Sequence, residues 1–146
     1  MVWLFEFKNE WQEHRKPIDD FLIRNYFVQL DWANREMVYI ILTDKEYNII
    51  GVSAMAPRGE GRIHVQVIAI DREWRRMGLG TEILKHISTM YSDAEVTLCV
   101  KFSELRVLGF YCGKKLAKIK SFDSANQVVY LSLRHARILH EIPLPD

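Results

Sequence analysis

Apolar and polar positions along this chain recur with two periods, and each period predicts a different kind of element. Alternation predicts strands, whereas apolar residues three and four positions apart predict helices. The predicted strands cover residues 2–8, 37–43, 49–56, 63–70, 95–100, 118–122 and 127–134. A first predicted helix starts at Pro17, and the further predicted helices cover residues 30–34, 78–91 and 105–116. The resulting order, β-α-α-β-β-β-α-β-α-β-β, indicates a single α/β domain (α+β) with a mixed sheet.

The length and composition are those of one globular domain. A chain of 146 residues can bury a sizeable core, and 49% hydrophobic with 27% charged residues is a folded rather than a disordered composition. A net charge of +1 provides no general electrostatic basis for binding nucleic acid. No apolar run reaches the roughly 18 residues of a membrane span, and the start of the chain lacks the basic region of a signal peptide. We therefore expect a cytoplasmic protein with no membrane partner.

Charge is unevenly distributed along the chain. The charged side chains between residues 101 and 120 are Lys101, Arg106, Lys114, Lys115, Lys118 and Lys120 against Glu104 alone. This asymmetry fits an anionic ligand bound toward the C-terminal half, and a solvated helix face explains several of these lysines equally well.

Cysteine and histidine spacing predicts neither disulfides nor a metal site. Cys99 lies within an apolar run and is expected to be a small core residue. A nucleophilic role for Cys112 would need an activating histidine, and spacing places none beside it. Four further histidines show no metal-ligand spacing: His14, His86, His135 and His140.

The segment after the apolar run 65–70 carries the most specific chemical signal. It reads Arg75-Arg76-Met77-Gly78-Leu79-Gly80, and a helix starts at Thr81. Glycines let the backbone close around a bulky anion so that several N–H groups point at it, and the helix N-terminus adds partial positive charge. We interpret this loop as a pyrophosphate site. It is neither the Rossmann fingerprint nor the P-loop, and an ordinary strand–loop–helix connection remains the alternative.

These residues resemble the phosphate-binding signature of the GNAT superfamily of N-acetyltransferases, Q/R-x-x-G-x-G/A after a central strand. Arg75, Gly78 and Gly80 fill it without a gap. The lead-in from Ile70 is similar to the family's V-x-P-x-[aromatic]-R, with Arg72 where proline is common. The element order is also that of the family. The resemblance therefore implies an N-acetyltransferase domain over residues 1–136, followed by a C-terminal tail at 137–146.

The resemblance implies acyl transfer from acetyl-CoA to an amine by direct attack in a ternary complex. By analogy, backbone N–H groups of the loop hold the pyrophosphate, and the preceding strand pairs with pantetheine and the thioester carbonyl. The implied cofactor-binding residues are Ile68, Ala69, Ile70, Arg75, Arg76, Met77, Gly78, Leu79, Gly80 and Thr81. Physical chemistry agrees, since a strand that splays from its neighbour exposes main-chain groups that an extended ligand can pair with. An N–H aimed at the thioester oxygen would stabilise negative charge there.

A base must remove a proton from the attacking amine, and His64 is the candidate. In the histone-acetylating members of the family a glutamate occupies the position that matches His64. Because side chains alternate between the two faces of a strand, the side chain of His64 is expected on the same face as those of Gln66, Ile68 and Ile70. A histidine with an unperturbed pKa of about 6.5 can do this work at neutral pH. A strand histidine used for packing is the alternative.

An acid is expected beside the departing thiolate, and Tyr111 is the candidate. The segment from Glu104 to Tyr111 resembles the family's N-x-x-A-x-x-L-Y, with Glu104 in place of asparagine and Val107 in place of alanine. Tyr111 as a plain core aromatic is the alternative reading.

Three functions are compatible with these patterns. The leading one is an acetyl-CoA-dependent N-acetyltransferase, and the others are a non-catalytic acyl-CoA-binding or interaction domain on the same fold and a nucleotide-binding α/β protein. The acceptor is a small molecule or a protein: Asp19, Asp20 and Asp31 lie in the region that shapes the family's acceptor pocket and favour a small cationic amine, while a protein lysine or N-terminus stays open. The near-neutral charge argues against nucleic acid as partner, and a homodimer is left open.

Overall fold

The computed structural model describes residues 2–26, 29–101, 105–113 and 117–133. Its strands are β1 (Trp3–Lys8), β2 (Val38–Thr43), β3 (Ile49–Pro57), β4 (Arg62–Ile70), β5 (Glu95–Lys101), β6 (Ala117–Asp123) and β7 (Val128–Leu133). Its helices are α1 (Arg15–Tyr26), α2 (Leu79–Met90) and α3 (Leu105–Gly113), with short 3-10 turns at Gln12–His14 and Arg72–Trp74. The predicted tail at 137–146 lies outside the described residues.

All seven strands form one mixed sheet in the order β1-β2-β3-β4-β5-β7-β6. The β4–β5 pair is parallel, and the neighbouring pairs on either side of it are antiparallel. The mixed α/β fold predicted from the hydrophobic pattern is therefore confirmed. None of the helices in the described ranges is long and apolar enough to cross a bilayer.

The helix predicted over residues 30–34 is wrong, because this stretch is a turn. The side chain of Asp31 accepts from the Ala33 N–H at 3.2 Å, and that of Asn34 accepts from the Glu36 N–H at 3.0 Å. Such local bonds give the backbone an alternative to helical pairing. The amide of Asn9 then donates to the carbonyls of Trp32 and Asn34, at 2.9 Å each, and ties the turn to the end of β1.

Two cores cover the two faces of the sheet. Helix α1 packs Ile18, Phe21 and Leu22 on one face, since these residues recur at helical spacing. Helices α2 and α3 pack on the other face, where Ile83 and Ile87 of α2 are fully buried. The sheet is thus a middle layer between one helix and two.

Strand β5 alternates, and this corrects the expectation for Cys99. Val96, Leu98 and Val100 point into the α2–α3 core and are buried, whereas the intervening Cys99 is exposed. An apolar run in sequence hid the period of two, which sends every second residue to the opposite face.

Candidate active site

A β-bulge in β4 changes which residues share a face. The β3–β4 register steps from Ala54↔Val67 to Met55↔Val65, so Gln66 is the extra residue on β4. Before the bulge Val65 packs into the α2–α3 core, and after it Ile68 does. The prediction that His64 shares a face with Ile68 and Ile70 is therefore wrong, because one inserted residue reverses the alternation.

The parallel pairing of β4 with β5 is short. It joins Arg62↔Glu95, Ile63↔Val96 and His64↔Thr97, and past this point the two strands are not paired. We call this opening the fork. The edge of β4 that faces it runs through residues 65–70 toward the loop, and along this edge β4 makes no pairing with β5. The predicted splaying of this strand from its neighbour is present, and Ile68, Ala69 and Ile70 lie on its open arm.

The loop at the end of β4 is braced at its base. The N–H of Asp71 donates to the Ile50 carbonyl at 2.8 Å, and its carboxylate accepts from the Glu73 N–H at 3.0 Å. The guanidinium Nε of Arg75 donates to the Ile70 carbonyl at 3.0 Å. Arg75 therefore closes the turn that carries the chain from β4 to α2.

The turn itself uses two left-handed residues. Arg76 has φ 68° and Gly78 has φ 78°, and such a conformation costs of the order of 1 kcal/mol or more for a residue with a side chain. The first helical hydrogen bond of α2 is donated by the Glu82 N–H to the Gly78 carbonyl at 3.0 Å. The amides of residues 79–81 precede this bond and have no carbonyl one turn back. They face outward at the positive end of the helix dipole.

The residues of this loop fit a diphosphate. Across the described ranges, no backbone hydrogen bond outside helices and strands starts from the N–H groups of residues 76–81. A Cβ built on Gly80 meets no atom within 4 Å, and its φ is not positive, so the fold itself does not require a glycine there. The hydroxyl of Thr81 is buried and has no partner within the described structure. Within the described residues, this open space, the amides without a backbone acceptor and the hydroxyl without a partner together suit a bulky anion.

His64 lies at the closed end of the fork. Its Nδ1 is 3.0 Å from the Thr97 hydroxyl, and its ring is half-buried. Burial lowers the pKa of His64 below its usual 6.5, and the positive charge of Arg58 lowers it further. The ring is therefore neutral at neutral pH, and when Nδ1–H donates to Thr97 the lone pair is on Nε2. That is the state a proton acceptor needs.

Tyr111 is in α3 and belongs to the α2–α3 core. Its side chain is 7% exposed, and its ring meets that of Phe110 edge-on with centroids 5.2 Å apart. This placement agrees with the packing alternative and leaves the acid role a prediction. His64 and Tyr111 belong to opposite faces of the sheet, with the fork as the opening between the faces.

Several other candidates have structural partners elsewhere. Both oxygens of Asp19 accept from the indole Nε1 of Trp32, at 2.9 and 3.0 Å, and Asp20 pairs with Lys16 at 2.9 Å. His14 bonds the hydroxyl of Tyr39, and His86 bonds Glu6. Glu104, Lys114, Lys115, His135 and His140 lie outside the described residues.

A cleft next to His64 was not predicted. It has a volume of about 350 Å³ and is lined by Arg58, Arg62, Thr97, Lys120, Ser121 and Tyr130. We call it the basic cleft. The sequence signal for one wall of the basic cleft was the alternation in β5, where Thr97 lies between apolar neighbours. The contribution of Arg58 had no signal, since only the folded hairpin brings it there.

The fork in the mixed sheet, the loop after β4 and the N-terminus of α2 agree with the acetyltransferase resemblance of the sequence. Residues 3–114 match the model of the acetyltransferase (GNAT) family, and the chain belongs to that family. This confirms the resemblance carried by Arg75, Gly78 and Gly80, and with it acetyl-CoA as the cofactor. It also favours acetyl transfer over the nucleotide-binding reading. Among curated proteins, none matches the sequence.

Solved structures share the fold at low sequence identity. The ribosomal-protein-S18-alanine N-acetyltransferase of Escherichia coli has a TM-score of 0.72 and 13% identity, over 91% of this chain and 93% of its own. A GNAT acetyltransferase of Staphylococcus aureus has a TM-score of 0.71 and 13% identity, over 92% and 100%. A Bacillus anthracis acetyltransferase solved in complex with acetyl coenzyme A has a TM-score of 0.59 and 17% identity, over 68% and 62%. At these identities the likeness shows the fold alone.

Proposed function

We propose that this protein is an acetyl-CoA-dependent N-acetyltransferase that moves an acetyl group to a primary amine by direct attack in a ternary complex. The observation that carries the proposal is the fork. Its open strand ends at a loop whose amides donate to no backbone carbonyl of the described residues, and its closed end holds a neutral histidine.

Each part of the site has a separate task. When bound, acetyl-CoA supplies an acetyl group activated as a thioester. The amides of residues 76–81 and the start of α2 bind the diphosphate, and the side chain of Arg75 keeps the turn in shape. The exposed edge of β4 through Ile68, Ala69 and Ile70 pairs with the pantetheine arm in the manner of an added strand.

Two side chains handle protons. His64 takes the proton that the acceptor amine must lose, directly or through an ordered water, because its lowered pKa keeps Nε2 free near neutral pH. Tyr111 gives a proton to the departing thiolate. A phenol is suited to this since it is protonated at neutral pH.

One observation favours a second candidate, a non-catalytic acyl-CoA-binding domain. Tyr111 is nearly buried in the core, as a packing residue would be. Such a domain would keep Arg75, Gly78 and Gly80 and would need neither His64 nor Tyr111.

Release of free CoA with a panel of amines separates the two functions. We expect turnover by the wild-type protein and a loss of about 10- to 100-fold in Tyr111→Phe, near the lower range for proton transfer by a positioned acid. The ring stays in the core, so CoA affinity measured by calorimetry should be unchanged. CoA binding without turnover of any amine would support the non-catalytic domain, and equal rates would remove Tyr111 from the chemistry.

A further inference from the structure

The basic cleft adjoins the candidate base. Thr97 lines the cleft and also bonds the Nδ1 of His64 at 3.0 Å. The cleft lies on the sheet face opposite the α2–α3 core, because Thr97 alternates with Val96 and Leu98 of that core. A molecule in the cleft is therefore next to the ring that would take its proton.

The cleft is far from the diphosphate loop along β4. Arg62 begins this strand and Ile70 ends it, which corresponds to about 26 Å at roughly 3.3 Å per residue. The cationic side chains of the cleft are thus separate from the amides that bind the diphosphate.

Positive charge dominates the cleft. Three of its six lining residues are cationic (Arg58, Arg62 and Lys120), and none is acidic. Glu95 lies beside them, where it accepts from Lys120 and is 3.4 Å from the Nε of Arg62. The hydrogen bond from Lys120 is the main reason that the pKa of Glu95 is lowered. A single carboxylate therefore pairs with two cations, and the cleft keeps a net positive charge.

Arg58 supplies the uncompensated cation. No ion pair joins its guanidinium to any acidic side chain in the described parts of the chain. After burial, its positive charge is the second cause that lowers the pKa of His64. Arg58 is exposed on the loop after β3, so a ligand can meet it without moving the fold.

A cleft of this sign repels an acceptor that offers only an ammonium group. It attracts an amine that also bears an anionic group, and guanidinium groups bind carboxylate or phosphate through paired hydrogen bonds. The positive charge has a second effect, since it disfavours the ammonium form of the bound amine and so favours the nucleophilic free amine.

We propose that the acceptor is a small amine that also carries a carboxylate or phosphate, and that Arg58, with Arg62 and Lys120, binds this anionic group in the basic cleft. The inference rests on the proposed acetyl transfer. A volume of about 350 Å³ is at the small end of ligand pockets, which favours an acceptor the size of an amino acid. Asp19, which suggested a cationic acceptor from sequence, is held by Trp32 instead.

Matched amines test the charge requirement. β-Alanine and propylamine differ by a carboxylate, phosphoethanolamine and ethanolamine differ by a phosphate, and putrescine offers a second cation. We expect kcat/KM to be at least ten-fold higher for the anionic member of one pair or both, with the advantage falling as salt is raised. Whichever pair shows it identifies the anionic group.

The variant Arg58→Gln tests the residue. It should raise KM for the anionic amine about ten-fold, lower kcat/KM for the neutral partner much less, through the pKa of His64 alone, and leave the Kd of CoA nearly unchanged. Arg35→Gln, an exposed arginine in the turn before β2, is the matched control and should behave as wild type.

Three results would overturn the proposal: neutral or dicationic amines used as well as anionic ones, a weaker Kd of CoA in Arg58→Gln, or acetylation of proteins or peptides without any small anionic amine. Calorimetry of the anionic amines separates this proposal from the proposed function. Binding lost in Arg58→Gln without turnover by any variant would keep the anion site and reject the enzyme. Turnover without a preference for anionic amines would keep the enzyme and reject the anion site.

Discussion

The ring of His64 is held in its neutral form by its surroundings. Burial is the larger cause of its lowered pKa, and the charge of Arg58 is the smaller one. Thr97 fixes the orientation of the ring through Nδ1. A base with a pKa below its usual value is unprotonated at neutral pH, so its activity falls only in acid.

We expect the pH profile of kcat/KM to show an acidic limb below pH 6.5, the unperturbed histidine value. The limb should be absent from His64→Ala, whose rate at pH 7 should fall by about 100-fold. Arg58→Gln should move the limb to higher pH, because one cause of the lowered pKa is removed. His86→Ala, in which an exposed histidine paired with Glu6 is lost, should keep the wild-type profile. An acidic limb that persists in His64→Ala would exclude His64 as the base.

Site residues whose arrangement depends on local sequence spacing could be predicted from the sequence. Contacts between residues that are distant in the sequence could not. Arg75, Gly78 and Gly80 lie in one short segment that runs from the loop into the first turn of α2, so their sequence spacing carried their geometry. The partnership of His64 with Thr97, and of Asp19 with Trp32, joins residues that only the folded sheet or turn brings together. Cys99 was misplaced because its neighbours on both sides are apolar.

At the scale of elements, the loop and the first turn of α2 form one unit whose amides are proposed to bind the diphosphate. Gly80 is in the first turn of α2, and space is open where its side chain would be. A substitution there should affect the ligand rather than the fold. This gives a test of the loop that a buried glycine would not allow.

Gly80→Asp should abolish CoA binding, because it places a negative charge and bulk where the diphosphate lies. Gly80→Ala should weaken binding less, and its thermal stability should be equal or slightly higher, since alanine favours a helix by up to about 1 kcal/mol over glycine. Calorimetry with CoA and a thermal denaturation curve measure the two effects. Unchanged CoA affinity in a folded Gly80→Asp protein would contradict the loop assignment.

The pattern of elements was largely predictable, and its irregularities were not. All seven strands were predicted in order because each one alternates or is bounded by turn residues. The bulge at Gln66 has no sequence signature, yet it determines which face every later residue of β4 occupies. The helix predicted at 30–34 failed because Asp31 and Asn34 bond their own backbone.

At the scale of the whole molecule, the core under α1 contains an ionisable side chain, Tyr39, that stabilises the folded state only while it is neutral. Tyr39 has no exposed surface, and its hydroxyl is 2.7 Å from the Nδ1 of His14. Burial, with a smaller effect of Glu13, raises the pKa of Tyr39 to about 12. In the unfolded chain the same phenol ionises near pH 10.

The free energy of unfolding should therefore decrease as pH rises from 10 to 12, since the unfolded chain loses this proton first. The shift corresponds to roughly 2–3 kcal/mol over that interval. Tyr39→Phe should show a smaller decrease, with the remainder from groups such as Tyr91, whose pKa is also raised. Urea unfolding at several pH values measures the slope, and Tyr47→Phe, which is 68% exposed, is the control. Equal slopes for wild type and Tyr39→Phe would contradict the assignment.

The short seam between β4 and β5 has a consequence for the molecule as a whole. Only three residue pairs join β4 to β5 there, so past His64 and Thr97 the two halves of the sheet share no strand pairing. On the proposed function, the pantetheine arm would pair with the open edge of β4 there. A cofactor bound along that edge would add to the stability of the folded chain by mass action, by an amount that grows with its concentration and affinity.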